Sequence, residues 1–105
     1  MTASRTCSHV RVREAHWAPV SAGEYDRRTR TVSINLTIVD AVQARYGHER
    51  ALVKAVIVAH EHAHVDSPCV EPPDVEERRA RAAAIEAGGI DVVTHIEQVL
   101  AEAWT

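Results

Sequence analysis

The chain has 105 residues, a formal net charge of −3 and no phenylalanine. A chain of this length is expected to fold as one domain with a single modest core, and Val, Ile, Leu and Ala must build that core because aromatic residues are scarce. Acidic and basic residues are interspersed, so no charged patch is expected to attract nucleic acid or an anionic membrane surface.

Two features of the sequence bear on the compartment in which the protein works. No run of about 18 apolar residues is present to cross a bilayer, and the amino terminus, MTASRTCSHVRVRE, lacks the apolar segment of a secretory signal. We therefore expect a cytoplasmic protein. Because that compartment is reducing, Cys7 and Cys69 are predicted to be free thiols rather than a disulfide.

The first third of the chain predicts a small β-structure. Residues 8–13 alternate polar and apolar side chains, which favours a short, half-buried strand, and Pro19 then marks a connection. Residues 23–25 and 30–35 are typical of the two arms of an antiparallel hairpin, joined by a polar turn at residues 26–29.

The rest of the chain predicts helices. Residues 36–46 have apolar side chains at helical spacing, and Gly47 supplies a C-terminal stop. The next helix, residues 49–66, ends by about Ser67 because Pro68 disfavours helical geometry in the residue before it.

Two further helices follow a loop at residues 67–73. The first is expected to begin with Asp74 as its N-cap and Glu77 at its third position, and to end at Gly88 and Gly89. The last helix, residues 90–104, carries a predicted apolar stripe that seals the core. Its members are Ile90, Val93, Ile96, Leu100 and Trp104.

The helix at residues 49–66 contains the pattern H-E-x-x-H, from His60 to His64. At about 100° per residue these two histidines share one helical face, and that face continues an apolar stripe formed by Val53, Val56 and Ile57. His62 points to the opposite side. Two imidazoles on a packed face are costly to bury unless something binds them, and the spacing suits two ligands of one zinc ion, with Glu61 beside them to act on a metal-activated water.

A catalytic zinc site needs a third protein ligand from another segment. A carboxylate in the first turn of the following helix is well placed, which makes Glu77 and Glu76 the main candidates. Acidic residues also occur there for capping reasons alone. Less direct candidates are Glu71, Asp66 and Cys69.

These motifs resemble the ImmA/IrrE-like metallopeptidases, a group of minimal gluzincins. Residues 23–26 and 30–35 resemble the hairpin that precedes the zinc helix, VIVAHEHAHV at residues 56–65 resembles the metal-binding core, and Glu77 to Ala80 resembles the glutamate helix of form E-x-x-A. Where the family often has Asn or Asp after that alanine, this chain has Arg81.

The resemblance implies an α+β, minimal zincin-like domain, in which a small antiparallel sheet packs on the H-E-x-x-H helix and a glutamate helix and a C-terminal helix follow. It implies that His60, His64 and Glu77 bind zinc and that Glu61 is the general base.

The expected function is that of a zinc-dependent endopeptidase acting on a protein or peptide in extended form. Residues 32–35 are the predicted sheet edge to which a substrate strand would add. Similar proteins often cleave intracellular transcriptional repressors, so a regulatory protein is the expected substrate class. The oxyanion stabiliser is left open among Tyr25, Tyr46, His62 and His95, although His95 is expected to be structural or exposed.

Two other functions compete with this hypothesis. In the first, Cys69 closes the metal site as a fourth ligand, and the protein is a latent zinc-binding module without turnover. In the second, the histidines are merely packed and the chain is a helical interaction module that binds no metal. The sequence does not specify the oligomeric state.

Overall fold

A computed structural model describes residues 10–65 and 72–103 of the chain. This described part has an α+β architecture, as expected, with a three-stranded sheet and four helices. The elements in chain order are β1 (Arg11–Ala15), β2 (Gly23–Asp26), β3 (Thr31–Asn35), α1 (Leu36–Tyr46), α2 (Arg50–Val65), α3 (Pro73–Gly88) and α4 (Ile90–Ala103). Within these ranges no helix is long and apolar enough to span a bilayer.

The predicted hairpin is confirmed. β2 and β3 pair in antiparallel orientation, with Gly23 opposite Ile34 and Asp26 opposite Thr31. The turn between them includes Arg30, whose φ of 54° lies in the left-handed region.

β3 is the central strand of the sheet, since the strand order is β1-β3-β2. β1 pairs with β3 in parallel orientation, with Arg11 opposite Thr31 and Ala15 opposite Asn35. The sheet is therefore mixed rather than antiparallel, and the prediction that residues 32–35 form a free edge is wrong. Their backbone is paired on both sides, whereas β1 and β2 each pair on one side only among the described strands.

β1 differs from the predicted half-buried strand at residues 8–13. Four of its five residues are exposed, and 52% of Val12 remains accessible. Alternating residue types favour an extended conformation, but an edge strand need not place either face in the core. Residues 8 and 9, together with Cys7, lie outside the described residues.

Asn35 joins the sheet, the β1–β2 connection and α1. It is fully buried, and its Oδ1 accepts hydrogen bonds from the backbone N–H groups of Thr37 and Trp17, each at 3.1 Å. Its Nδ2 donates to the carbonyl oxygens of Ala18 and Ser21 at 3.2 and 2.9 Å. The connection before β2 is thereby held against the start of α1.

The core between sheet and helices is aliphatic, as the composition required. α1 has the predicted bounds and ends at Gly47, which has a φ of 74°. α2 lies within the predicted range, and the last predicted residue, Asp66, lies outside the described residues. The predicted stripe of α2 is confirmed by the burial of Val53, Val56 and Ile57, each at most 3% exposed.

α3 begins earlier than predicted. Pro72 is its N-cap and Pro73 its first residue, so Asp74 lies inside the first turn and makes no cap, and Glu77 is not at the third position. Proline is favoured at the first helical position because its fixed φ suits the helix and its missing N–H would have no partner there. The C-terminal end agrees with the prediction, since the helix ends at Gly88 with Gly89 as its cap.

α4 seals the core with a stripe that differs from the predicted one. Its buried residues are Val92, Val93, Ile96 and Val99, while Ile90 is 47% exposed. At 100° per residue Ile90 lies roughly 120° from the centre of this stripe, because repeated steps of three residues drift around a helix. Trp104 lies outside the described residues.

Candidate metal centre

The candidate centre lies between the C-terminal half of α2 and the first turns of α3. These helices run antiparallel, since Glu77 near the start of α3 contacts His60 and Gly88 at its end packs on Val56. Small residues allow the close approach. A Cβ added at Gly88 would lie 2.2 Å from Cγ2 of Val56, and Ala80 and Ala84 on the same helix are buried.

His60, His64 and Glu77 converge at this place. Each offers one ligand atom, and these atoms all lie within 4.8 Å of one another. Nε2 of His60 lies 2.6 Å from Oε2 of Glu77, and Nε2 of His64 lies 3.3 Å from Oε1 of the same carboxylate. Both imidazoles therefore turn the same ring nitrogen towards one carboxylate.

The donor set suits zinc. Two imidazole nitrogens and one carboxylate oxygen form a known catalytic ligand set, and the ligand atoms around tetrahedral zinc lie about 3.4 Å apart. Nε2 of His64 lies 3.3 Å from Oε1 of Glu77, and Nε2 of His60 lies 2.6 Å from the other oxygen, Oε2. Both ring nitrogens are therefore within reach of an ion held by this carboxylate. The Glu77 side chain is 58% exposed, so the centre is open to solvent on that side.

Glu76 lies on the other side of His64 and has a different role. Its Oε2 is 2.6 Å from Nδ1 of His64. An ionised carboxylate only accepts hydrogen bonds, so in this contact Nδ1 carries the proton, which leaves Nε2 as the ring nitrogen that can bind a metal ion. Of the two glutamates left open by the sequence, Glu77 is thus the one that faces both Nε2 atoms.

The sequence predicts no residue that supports the imidazoles, and it offers Glu76 only as a candidate ligand. The signal that could have found it is the pair of adjacent glutamates, because neighbouring residues on a helix point about 100° apart and cannot face the same atom. Arg81 provides no such support, since its guanidinium binds Glu97 through two hydrogen bonds of 2.7 and 3.0 Å.

Glu61 lies beside the centre and outside the ligand group. Its carboxylate is 3.2 Å from Nδ1 of His60, and its side chain is only 13% exposed. The start of β2 packs directly on it. A Cβ added at Gly23 would lie 3.1 Å from Cγ of Glu61 and 2.7 Å from Cγ2 of Ile57, so only glycine allows this approach of strand and helix.

Electrostatics favour a charged His60 when no metal is bound. The hydrogen bond with Glu61 is the largest cause that raises the pKa of His60 from 6.5 to about 9, and Glu77 adds to it, while burial acts in the opposite direction. A metal ion must displace this proton in order to bind.

A cleft of about 310 Å³ opens from the centre. His60, Glu61 and Glu77 line part of it, and most of the other lining residues are apolar and come from the connection before β2, α2, α3 and α4. We refer to this space as the centre cleft.

The described residues that line the centre cleft include none of the four candidate oxyanion stabilisers. Tyr25 faces a separate polar surface around Arg13 and Asp26. Tyr46 stacks on His95 with ring centroids 3.7 Å apart, and His95 lies within 2.7 Å of His48. This arrangement agrees with the structural role predicted for His95.

The remaining ligand candidates, Asp66, Cys69 and Glu71, lie outside the described residues. Comparison of the chain with models of protein families, with curated proteins and with solved structures finds no match.

Proposed function

We propose that this protein is a zinc-dependent endopeptidase with a minimal zincin-like arrangement. The observation that carries the proposal is the convergence of the Nε2 atoms of His60 and His64 on the Glu77 carboxylate, with Glu61 beside them and outside the ligand group. The arrangement supports three ligands and one carboxylate that does not bind the ion, which is the division of roles that metal-assisted hydrolysis requires.

His60, His64 and Glu77 would hold the ion. A zinc ion held there supplies Lewis acidity, which activates water and polarises a carbonyl group. Glu61 accepts the proton of the attacking water and delivers it to the leaving amine. Glu76 keeps the proton of His64 on Nδ1, so that Nε2 is available as a ligand.

The substrate would bind in extended form along β2 rather than along β3. β2 pairs with β3 on one side only among the described strands, and its first residue, Gly23, packs on Glu61. An extended segment added to the other side of β2 therefore lies next to the catalytic carboxylate. An intracellular regulatory protein is the substrate class that we propose.

The latent alternative depends on Cys69 as a fourth ligand, and Cys69 lies outside the described residues. The interaction-module alternative is separated from our proposal by metal content.

Zinc per chain should be measured in wild type, His60→Ala, Glu77→Ala and, as a matched control on an exposed face of α3, Glu86→Ala. We expect about one zinc in wild type and in the control and a loss in both ligand variants.

Wild type should also cleave members of a peptide library derived from cellular proteins, with the products detected by mass spectrometry. Glu61→Gln should keep its zinc and lose cleavage. A folded wild type that takes up no zinc, or a Glu61→Gln variant as active as wild type, would remove the proposal.

A further inference from the structure

The centre cleft places a binding space directly beside the residues proposed to act on the peptide bond. His60, Glu61 and Glu77 form part of its wall. A peptide bond held at Glu61 has side chains within one residue on either side, so a side chain of the substrate can reach the cleft. The inference rests on the proposed function, because it takes the peptide bond to be held at Glu61.

Most of the other residues of the wall are apolar. Val20 and Ala22 approach it from the connection before β2, Ile57 from α2, and Val93 and Leu100 from α4. The volume of about 310 Å³ is at the lower limit of pockets that bind small molecules, about 300–1,000 Å³. The space therefore suits one large side chain rather than several residues of a substrate.

Arg81 and Glu97 are the charged residues of this wall that lie outside the candidate centre. They neutralise each other through two hydrogen bonds, from Nε and from a terminal nitrogen of Arg81 to the two carboxylate oxygens of Glu97, at 2.7 and 3.0 Å. This pair thus offers no unpaired charge to an occupant, and a charged side chain that gives up hydration to enter the cleft gains no partner from it.

We propose that the centre cleft is a specificity pocket for one large uncharged apolar side chain of a polypeptide substrate, such as leucine, and that the Arg81–Glu97 pair excludes charged side chains from it. Specificity would then come from α3 and α4 together, since each contributes one member of the pair. Removing Glu97 leaves the Arg81 cation facing the cleft, which should convert the preference towards an acidic side chain.

Binding can be tested without turnover in zinc-supplied Glu61→Gln protein. The probe is an acetylated and amidated alanine–glycine host peptide with one guest residue, which is leucine, glycine, aspartate or lysine. We expect the leucine peptide to bind roughly 10- to 100-fold more tightly than the glycine peptide, with methyl NMR shifts at Val93 and Leu100.

Three variants of that protein sharpen the test. Ala22→Leu fills the cleft and should abolish the preference for leucine. Val20→Trp should have the same effect, and because Val20 is 54% exposed, this substitution does not overpack the core. Glu97→Ala should gain affinity for the aspartate peptide. Its matched control is Glu102→Ala, which breaks the bidentate ion pair of α4 with Arg45, away from the cleft, and should leave the guest preference unchanged.

Binding that is independent of the guest, binding of no peptide, a preference for lysine, or equal effects of Glu97→Ala and Glu102→Ala would each overturn the pocket. The failure of the proposed function is separate from these results. If the protein binds the leucine peptide as expected but, with Glu61 intact, takes up no zinc and cleaves no peptide, the pocket proposal stands and the proposed function fails. If the protein cleaves all four guest peptides at equal rates, the proposed function stands and the pocket proposal fails.

Discussion

Glu76 accepts a hydrogen bond from Nδ1 of His64 at 2.6 Å, on the side of the ring opposite to the one that faces Glu77. Two consecutive glutamates of α3 therefore act on the two nitrogens of one imidazole. In the proposed zinc site, Glu77 would bind the ion and Glu76 would set the tautomer that makes the ring a ligand.

Removal of Glu76 should weaken zinc binding without abolishing it. We expect Glu76→Ala to lower zinc affinity roughly 10- to 100-fold, the usual cost of losing a hydrogen-bond partner of a ligating histidine. Glu76→Gln, which keeps an acceptor oxygen, should lose less. Competition with a chelator of known affinity measures both, with Glu86→Gln as the control on the same helix. Unchanged affinity in Glu76→Ala would contradict the role, and a loss equal to that of Glu77→Ala would make Glu76 a ligand.

Zinc affinity should depend on pH through His60. Because the pKa of His60 in the metal-free protein is raised to about 9, a proton must leave before the ring can bind zinc. The apparent affinity should therefore fall roughly tenfold for each pH unit between 9 and 7 from this group alone. Titration calorimetry in buffers of different ionisation enthalpy measures the proton release. Equal affinity at pH 7 and pH 9 would show that His60 carries no proton in the free protein.

The same shift predicts how the stability of the metal-free protein varies with pH. The pKa of His60 is higher in the folded protein, about 9, than its ordinary value of 6.5, so the folded state binds the proton more tightly. The contribution to stability is then fully present below about pH 6.5 and is lost as pH rises through about 9. Urea denaturation of chelator-treated wild type should show this decline. A His60→Gln variant, which has no titrating ring, should decline less over the same interval.

Gly23 is expected to control the position of Glu61. Any larger residue needs space that Ile57 and Glu61 occupy, at 2.7 and 3.1 Å from the added Cβ, and Ile57 is buried and cannot swing away. Gly23→Ala should displace Glu61 and lower kcat by about tenfold or more while zinc content stays at the wild-type level. Ala18→Gly, at an exposed position of the same connection that does not line the centre cleft, is the control. Loss of zinc in Gly23→Ala would show instead that the whole helix has moved.

Gly88 should matter for stability rather than for catalysis. A Cβ at this position meets Cγ2 of Val56 at 2.2 Å and Cδ1 of Leu52 at 3.3 Å, so Gly88→Ala forces α2 and α3 apart at the end remote from Glu77. Overpacking of this kind costs about 1–3 kcal/mol, which thermal denaturation should reveal as a lower Tm. A Tm equal to that of wild type would mean that the two helices separate at no cost.

The sequence by itself determined the local elements of this protein. The hairpin, α1 and α2 agree with their predicted positions because alternation of side chains, helical spacing and a glycine stop act over a few residues. The spacing of His60 and His64 on one helical face has the same local origin. The starts of β1 and α3 were less well predicted, because edge strands and proline caps are local features with several possible boundaries.

Only the tertiary structure decided which groups meet. The central place of β3 depends on pairing with β1, some 20 residues away in the chain. Whether Glu76 or Glu77 faces the Nε2 atoms depends on the rotation of α3 against α2, which is set by the packing of Ala80, Ala84 and Gly88. The centre cleft likewise exists because α4 closes a space that α2 and α3 leave open. These relationships are made by packing between distant segments, and no periodicity within one segment can specify them.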